Sequence, residues 1–282
     1  MKYNIRNLKL RNRFLLAPML EPNDIAFRLL CKKTGCGLTW TGMVSPLSKK
    51  KMNLEDRPAV QLFGNSARGI KSFIEKHDKK VSLWDFNLGC PSKLSKKLKH
   101  GAFLHKNLEM IEKILEAMHR ATKKPIGIKL RKSKQSIEIA KLAEKYVNVI
   151  AIHPRTIEQG YSGDVDYNFA LKLKKAVNIP VIYSGNVNEK NIGKILKDFD
   201  FVFVGREAIG NPNIFSKLSG KKVEVEFEDY LKLAKKYKLF FRQIKYQAMN
   251  FTKGLENAKS LRKQLIDAKN IKEVEHIMKT TK

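Results

Sequence analysis

Cysteine is scarce in this sequence. Its 282 residues include only Cys31, Cys36 and Cys90, too few and too scattered for a disulfide framework or a closed zinc site. No metal is therefore expected, and any cysteine chemistry is that of a single residue. Long apolar runs are missing too. Nothing approaches the roughly 18 uncharged residues that a membrane span needs, and Met1 to Arg13 carries basic residues without an apolar signal core. A soluble, unexported, cytoplasmic protein is the expectation. There is no internal repeat and no low-complexity linker. Acidic residues are also in short supply, 27 against 57 Lys and Arg, for a formal net charge of +30. With 43% hydrophobic residues the chain can bury a core, so this is not a disordered basic tail. A surface this positive repels itself unless a polyanion partners it, which makes nucleic acid the first candidate and a lysine-rich composition bias the alternative.

What is present is a recurring pattern. Short runs rich in branched and aromatic residues begin near Phe14, Leu38, Ala59, Leu83, Ile126, Val149, Pro180 and Phe201, and the intervals between them are long enough for returning helices. The patterns over Pro22–Lys33, Leu108–Ala121 and Ser136–Tyr146 predict helices, the last two capped by Asn107 and Ser136. Eight strands each followed by a helix fit a (β/α)8 TIM barrel. A doubly wound sheet is the runner-up, disfavoured because no Gly-x-Gly-x-x-Gly turn follows the first strand. After Ser216 the strand signal stops, and acidic residues precede a Lys- and Leu-rich run as helix dipoles prefer. The division expected is an α/β barrel over 1–216 and a small helical domain over 217–282.

In such a barrel the chemistry lies at the C-terminal strand ends. Those ends carry Pro18-Met19, Thr41-Gly42, Gln61, Asn87, Lys129, His153, Ser184-Gly185-Asn186 and Gly205-Arg206. Gly185 and Gly205 allow close backbone approach, and Arg206 opens the segment after the last strand, so a phosphate-bearing ligand is implied. Lys129 could set positive charge where a reduced cofactor ring becomes negative, an arrangement that suits a flavin. Cys90 sits between Gly89 and Pro91 at the mouth, whereas Cys31 and Cys36 read as small buried hydrophobes. An ordinary thiol is largely protonated at neutral pH, so Cys90 can serve as proton donor or nucleophile. Basic residues gather on the same rim: Lys49, Lys50 and Lys51; Lys93, Lys96, Lys97, Lys99 and Lys106; Arg131, Lys132 and Lys134.

These residues together resemble the tRNA-dihydrouridine synthases. The resemblance runs through Leu16-Ala17-Pro18-Met19, Gln61-Leu62-Phe63-Gly64, Asn87-Leu88-Gly89-Cys90-Pro91 with Lys93, Lys129-Leu130-Arg131, His153-Pro154-Arg155-Thr156 with Gln159, Tyr161 and Gly163, Ser184-Gly185-Asn186 and Gly205-Arg206-Glu207-Ala208. It implies an FMN-binding barrel with a C-terminal helical domain that helps hold tRNA. On that resemblance Pro18, Met19, Gln61, Lys129 and His153 would contact the flavin. Gly185, Asn186, Gly205 and Arg206 would form its ribityl and phosphate site. Cys90 would be the general acid, Asn87 would orient the uracil, and Lys93 and Arg155 would lie near the substrate. NADPH or NADH would be the reductant, and a monomer is expected. The sequence departs from the family pattern at Lys245, Phe251 and Pro154 and in the loop after Cys90, which has few glycines. Two other readings are a flavin oxidoreductase for a free pyrimidine, resembling dihydroorotate dehydrogenase, and an RNA-binding barrel without catalysis.

Overall fold

A computed structural model describes residues 3–21 and 23–279. A hairpin comes first, β1 (Tyr3–Ile5) against β2 (Leu8–Leu10). Then follow β3 (Phe14–Leu16), α1 (Ile25–Lys33), β4 (Ala59–Leu62), α2 (Ile70–His77), β5 (Leu83–Leu88), α3 (Lys93–Lys97), α4 (Leu108–Ala121), β6 (Ile126–Arg131), α5 (Ser136–Ala143), β7 (Val149–His153), α6 (Tyr167–Lys175), β8 (Val181–Ser184), α7 (Ile192–Asp198) and β9 (Phe201–Val204). Strands β3 to β9 form one sheet in the order β3-β9-β8-β7-β6-β5-β4, every neighbouring pair parallel.

The gap between β3 and β4 is filled by the run predicted as the second strand. It survives as isolated parallel bridges, Leu15 to Leu38, Trp40 to Ala59 and Val44 to Leu62. The Leu16 amide donates to the Leu38 carbonyl at 3.0 Å and the Thr41 amide to that of Ala59 at 2.9 Å, which closes the barrel. Glycines flank the segment where backbone comes close. Built at Gly37 or Gly42, a Cβ would lie 2.9 Å from the Asn12 carbonyl or 2.7 Å from that of Met19. No helix follows this segment, contrary to the expectation of eight strand–helix pairs; residues 45–58 are irregular.

A buried ion pair anchors that irregular stretch. The Arg28 guanidinium donates to both oxygens of Asp56 at 2.8 and 3.0 Å and to the Asn23 and Asn53 carbonyls, while Thr39 Oγ1 donates to the same carboxylate at 2.7 Å. One charge thus ties α1, the bridging segment and the loop before β4.

Side chains alternate across each strand. Leu15, Leu38, Trp40, Ala59, Leu83, Val149, Ala151, Ile182, Phe201 and Phe203 fill the barrel interior, and Ile5 and Leu10 of the hairpin join them. The opposite faces pack under the helices in the larger core. Interior positions nearer the C-terminal ends are polar: Gln61, Asp85, Asn87, Lys129, His153 and Ser184.

Local sequence explains the helix ends. Asn107 caps α4, accepting from the Met110 amide at 3.0 Å. Ser136 is the first residue of α5 and not its cap; its hydroxyl accepts from the Ser133 amide and donates to the Arg131 carbonyl. The helix ends at Ala143, short of Tyr146, where the Tyr146 amide turns back to the Ala143 carbonyl at 2.8 Å. Helix α1 starts at Ile25, capped by Asp24; Pro22, the predicted start, lies outside the described residues.

The rest is helical: α8 (Ile214–Ser219), α9 (Phe227–Lys236), α10 (Phe241–Phe251), α11 (Ala258–Asp267) and α12 (Ile271–Lys279). α9 packs against α1, while α10, α11 and α12 pack together. The Asp24 carboxylate that caps α1 also accepts from Gln247 Nε2 at 2.9 Å and the Tyr230 hydroxyl at 3.4 Å. Gly210 lies so close to the end of α10 that a Cβ there would sit 1.9 Å from the Asn250 carbonyl oxygen. Both unusual tail residues have structural work: Lys245 donates to the Ile266 and Ala268 carbonyls at the end of α11, and Phe251 packs on Phe227 and Tyr230. Among the described residues no helix is long and apolar enough to cross a membrane.

Removing one partner of a buried pair leaves the other charge uncompensated. Asp56→Ala is therefore expected to cost about 3–5 kcal/mol of stability, measured by urea unfolding; a loss under 1 kcal/mol would show that Arg28 finds other acceptors.

Candidate active site

Polar residues projecting into the upper barrel meet at one mouth. β4 and β5 pair Gln61 with Asp85, β5 and β6 pair Asn87 with Lys129, and β6 and β7 pair Arg131 with His153. The Asp85 carboxylate, 2% exposed, accepts from Gln61 Nε2 at 2.6 Å and from the Trp40 indole at 3.1 Å. Gln61 Oε1 accepts from Asn87 Nδ2 at 2.7 Å. Asn87 Oδ1 in turn accepts the backbone amides of Gly89 and Cys90 at 3.1 and 2.9 Å. A continuous chain of hydrogen bonds runs from the barrel interior to the backbone of the cysteine.

Cys90 is half-buried, and its Sγ lies 3.5 Å from the hydroxyl of Ser92, the residue that caps α3. The backbone behind it is packed tightly. Gly101, at φ +63°, would place a Cβ 2.8 Å from the Cys90 carbonyl, so this turn admits no side chain, and the Ala102 amide donates to that carbonyl. His105 bridges the Leu88 carbonyl at 2.6 Å and the Ser133 hydroxyl at 2.7 Å, fastening the end of β5 to the loop after β6.

His153 tests whether a cofactor ring fits. Its Nε2 faces Arg155 Nη1 at 3.4 Å. A guanidinium can only donate, so Nε2 is the acceptor and the proton resides on Nδ1. That Nδ1 is buried and has no partner within the protein. A buried donor without an acceptor is costly, and a heterocycle with carbonyl and imine acceptors would satisfy it. Lys129 supplies a half-buried cation to the same space; burial, reinforced by Arg131, draws its ammonium down to about 8.

Gly185 (φ +132°) and Asn186 (φ +49°) form a left-handed turn after β8, and Arg206 Nη2 donates to Asn186 Oδ1 at 2.7 Å. Gly205 lies near Ala17 and Met19, bringing the ends of β3 and β9 together. Pro18 and Met19 are half-buried beside them, while Asn186 and Arg206 are exposed. The residues fit a flavin mononucleotide: a neutral donor and a cation for the ring, with glycine turns and an arginine for a phosphate.

Some predicted roles shift. Arg131, read as part of the basic rim, is buried and donates to the carbonyls of Gly89, Thr156 and Gly160. Arg155, 1% exposed, donates to the Ser162 and Gly163 carbonyls and supports the His153 loop. Lys132 is paired with Asp166 at 2.5 Å. Lys93 opens α3 and is exposed, as are Lys96, Lys97, Lys99 and Lys106. Tyr161, 63% exposed, stands at the rim with the Arg131 and Arg206 guanidinium carbons 5.5 and 6.0 Å from its ring centre. Asp85, Trp40 and His105 were missed; Asp85 could have been found from its position two residues before Asn87 on the same strand face. Among the described residues no group of three or more His, Cys, Asp or Glu could hold a metal ion.

Comparison with known proteins adds an independent line. A family model described as dihydrouridine synthase matches residues 15–280. A protein of Vibrio vulnificus named tRNA-dihydrouridine synthase B is 32% identical over 235 residues, covering 76% of this chain and 73% of its own. A probable tRNA-dihydrouridine synthase of Aquifex aeolicus is 27% identical over 293 residues, covering 92% and 93%. Among solved structures, the old yellow enzyme homologue from Zymomonas mobilis superposes with a TM-score of 0.59 at 11% identity, covering 79% of this chain and 93% of that one. That likeness establishes the barrel fold.

Electrostatics of the mouth give a pH signature. Burial holds His100, His105 and His153 below the usual imidazole range, His153 to about 2 with Lys129, Arg131, Arg155 and Arg206 adding to the effect. The unfolded chain, with histidines near 6.5, binds more protons in acid, so stability present above that pH is lost as pH falls through it. Asp85 acts oppositely. Burial pushes it up to about 6, so its cost grows between about 4, the unfolded value, and 6, and is constant above. The histidines outnumber it. His100 is 3% exposed, lacks a partner at either ring nitrogen, and packs on Phe63 with ring centres 4.7 Å apart and the planes tilted by 53°. Thermal unfolding should shift to lower temperature between pH 7 and pH 5, and His100→Phe should reduce that shift; an unaltered slope would mean that His100 binds its proton equally well in the folded and the unfolded chain.

Proposed function

The chain belongs to the dihydrouridine synthase family, and from that premise we propose that it reduces specific uridines of tRNA to 5,6-dihydrouridine in the cytoplasm. FMN is the cofactor proposed, NADPH or NADH the reductant, the barrel over 1–216 the catalytic domain, and the helices over 217–282 the second contact with tRNA. The reading is supported most directly by one juxtaposition: the unpartnered Nδ1–H of His153 and the Lys129 ammonium share the barrel mouth with the half-buried thiol of Cys90.

When bound, the reduced flavin supplies the hydride that goes to C6 of the uridine ring. The protein supplies orientation and a proton. Gln61, Lys129 and His153 hold the flavin ring beside Pro18 and Met19, and Gly185, Asn186, Gly205 and Arg206 hold its phosphate arm. In the uracil the C5=C6 bond is conjugated with the C4 carbonyl, so negative charge develops at C5 and O4 during reduction. Asn87 donates toward the ring, and Cys90 gives its proton to C5 from the other face. Lys93 lies on the substrate side, and Arg155 acts from behind, supporting the His153 loop. Uridine in folded RNA is stacked, and drawing it into the mouth costs a few kcal/mol; the exposed lysines after β5 offset this through phosphate contacts.

With Cys90→Ala, flavin content and tRNA binding should stay near those of the parent protein while dihydrouridine formation falls by roughly 10²-fold or more. Mass spectrometry of tRNA incubated with each protein reads the product, and undiminished product from the variant would remove the proton-donor role.

A further inference from the structure

A side-chain amide taken alone can be turned either way, and at the mouth the neighbours of Gln61 and Asn87 decide it. A carboxylate only accepts hydrogen bonds. Because Asp85 takes the Gln61 nitrogen at 2.6 Å, the Gln61 oxygen must face Asn87; because that oxygen takes the Asn87 nitrogen at 2.7 Å, the Asn87 oxygen must face the Gly89 and Cys90 amides. The Asp85 acceptor at one end and the Gly89 and Cys90 amide donors at the other thus demand the same direction of every link between them, with Asp85 the group that holds Gln61. We propose that Asp85 is a positioning residue that fixes the polarity of the Gln61–Asn87 pair, so that the mouth presents N–H groups and no free amide oxygen to the bound ring.

The count of atoms supports this. Asn87 Oδ1 already accepts two hydrogen bonds, while Gln61 and Asn87 each use one of two N–H groups within the chain and keep one. The free N–H of Asn87, the residue assigned to the uracil, suits a pyrimidine edge that carries a carbonyl oxygen and opposes one carrying an amine, while that of Gln61 suits an acceptor on the flavin ring. Space for the carboxylate comes from β6: a Cβ at Gly127 would lie 3.1 Å from Asp85 Oδ1. Trp40, on the bridging segment, donates to the same Asp85 oxygen as Gln61, and Lys129 on β6 is the charged group whose field reaches it. The proposal rests on the dihydrouridine reading for the identity of the ring, but the orientation of the amides is independent of it.

Two variants separate the acceptor from the charge. Asp85→Asn can keep an oxygen facing Gln61 and Trp40, whereas Asp85→Leu cannot. In the flavin-loaded protein, Asp85→Leu should lower kcat for dihydrouridine formation roughly 10-fold or more with KM for tRNA within about twofold, and Asp85→Asn should restore most of it. Parent-level kcat in the leucine variant, or equal loss in both, overturns the proposal. Nuclear magnetic resonance of the parent protein supplies a readout that needs neither turnover nor a stable leucine variant. The side-chain amide protons of Gln61 and Asn87 should shift together as Asp85 is titrated, and an Asn87 signal that ignores the titration also overturns it. If the parent protein forms no dihydrouridine while both amides follow Asp85, the proposed reaction fails and the positioning role stands.

Discussion

A parallel sheet that closes on itself sends every second residue of every strand into one narrow interior. Most of what distinguishes this molecule follows from how that interior is filled. Its lower part is apolar, from Leu15 and Leu83 to Phe201 and Phe203, with the hairpin residues Ile5 and Leu10 joined to it. Its upper part is polar and shut away from water, so each buried group must find a partner among the others. Asp85, Gln61 and Asn87 satisfy one another along a single line, and Arg131 is absorbed by three loop carbonyls. Among the polar residues of the strands, the His153 Nδ1 is left over, and a donor left over on that network suits a ligand with an acceptor.

The same alternation made much of the site legible beforehand. Strands buried on both faces read as short apolar runs, and the polar residue that ends such a run has few places to go except the mouth; Gln61, Asn87, Lys129 and His153 were found that way. What escaped notice depends on tertiary circumstance. Three-residue strands such as β1 and β2 have too little sequence to show a period, and they persist because Ile5 and Leu10 join the interior cluster. The interval after Trp40 has the length of a helix, yet the buried Arg28–Asp56 pair holds it as an irregular loop. Arg131 read as rim charge and Arg155 as a residue near the substrate because sequence records the guanidinium and not the carbonyls folded around it.

Charge changes meaning through the same distinction. Of the basic residues assigned to the rim, Arg131 is internal and Lys132 is neutralised by Asp166. Lys93, Lys96, Lys97, Lys99 and Lys106 remain exposed on the segment that carries Cys90, and among the described residues none of them forms a salt bridge to a carboxylate. The unpaired positive charge of the rim is narrower than the composition implied and adjoins the Cys90 thiol, so it attracts a polyanion to that side of the barrel.

The contact at Gly210 bears on how such a protein can diversify. Backbone meets backbone there, with no side chain between the barrel and the end of α10, while Asp24 grips Gln247 and Tyr230 nearby. A joint of this kind has no adjustable part: any larger residue at 210 forces the two bodies apart instead of tilting them by degrees.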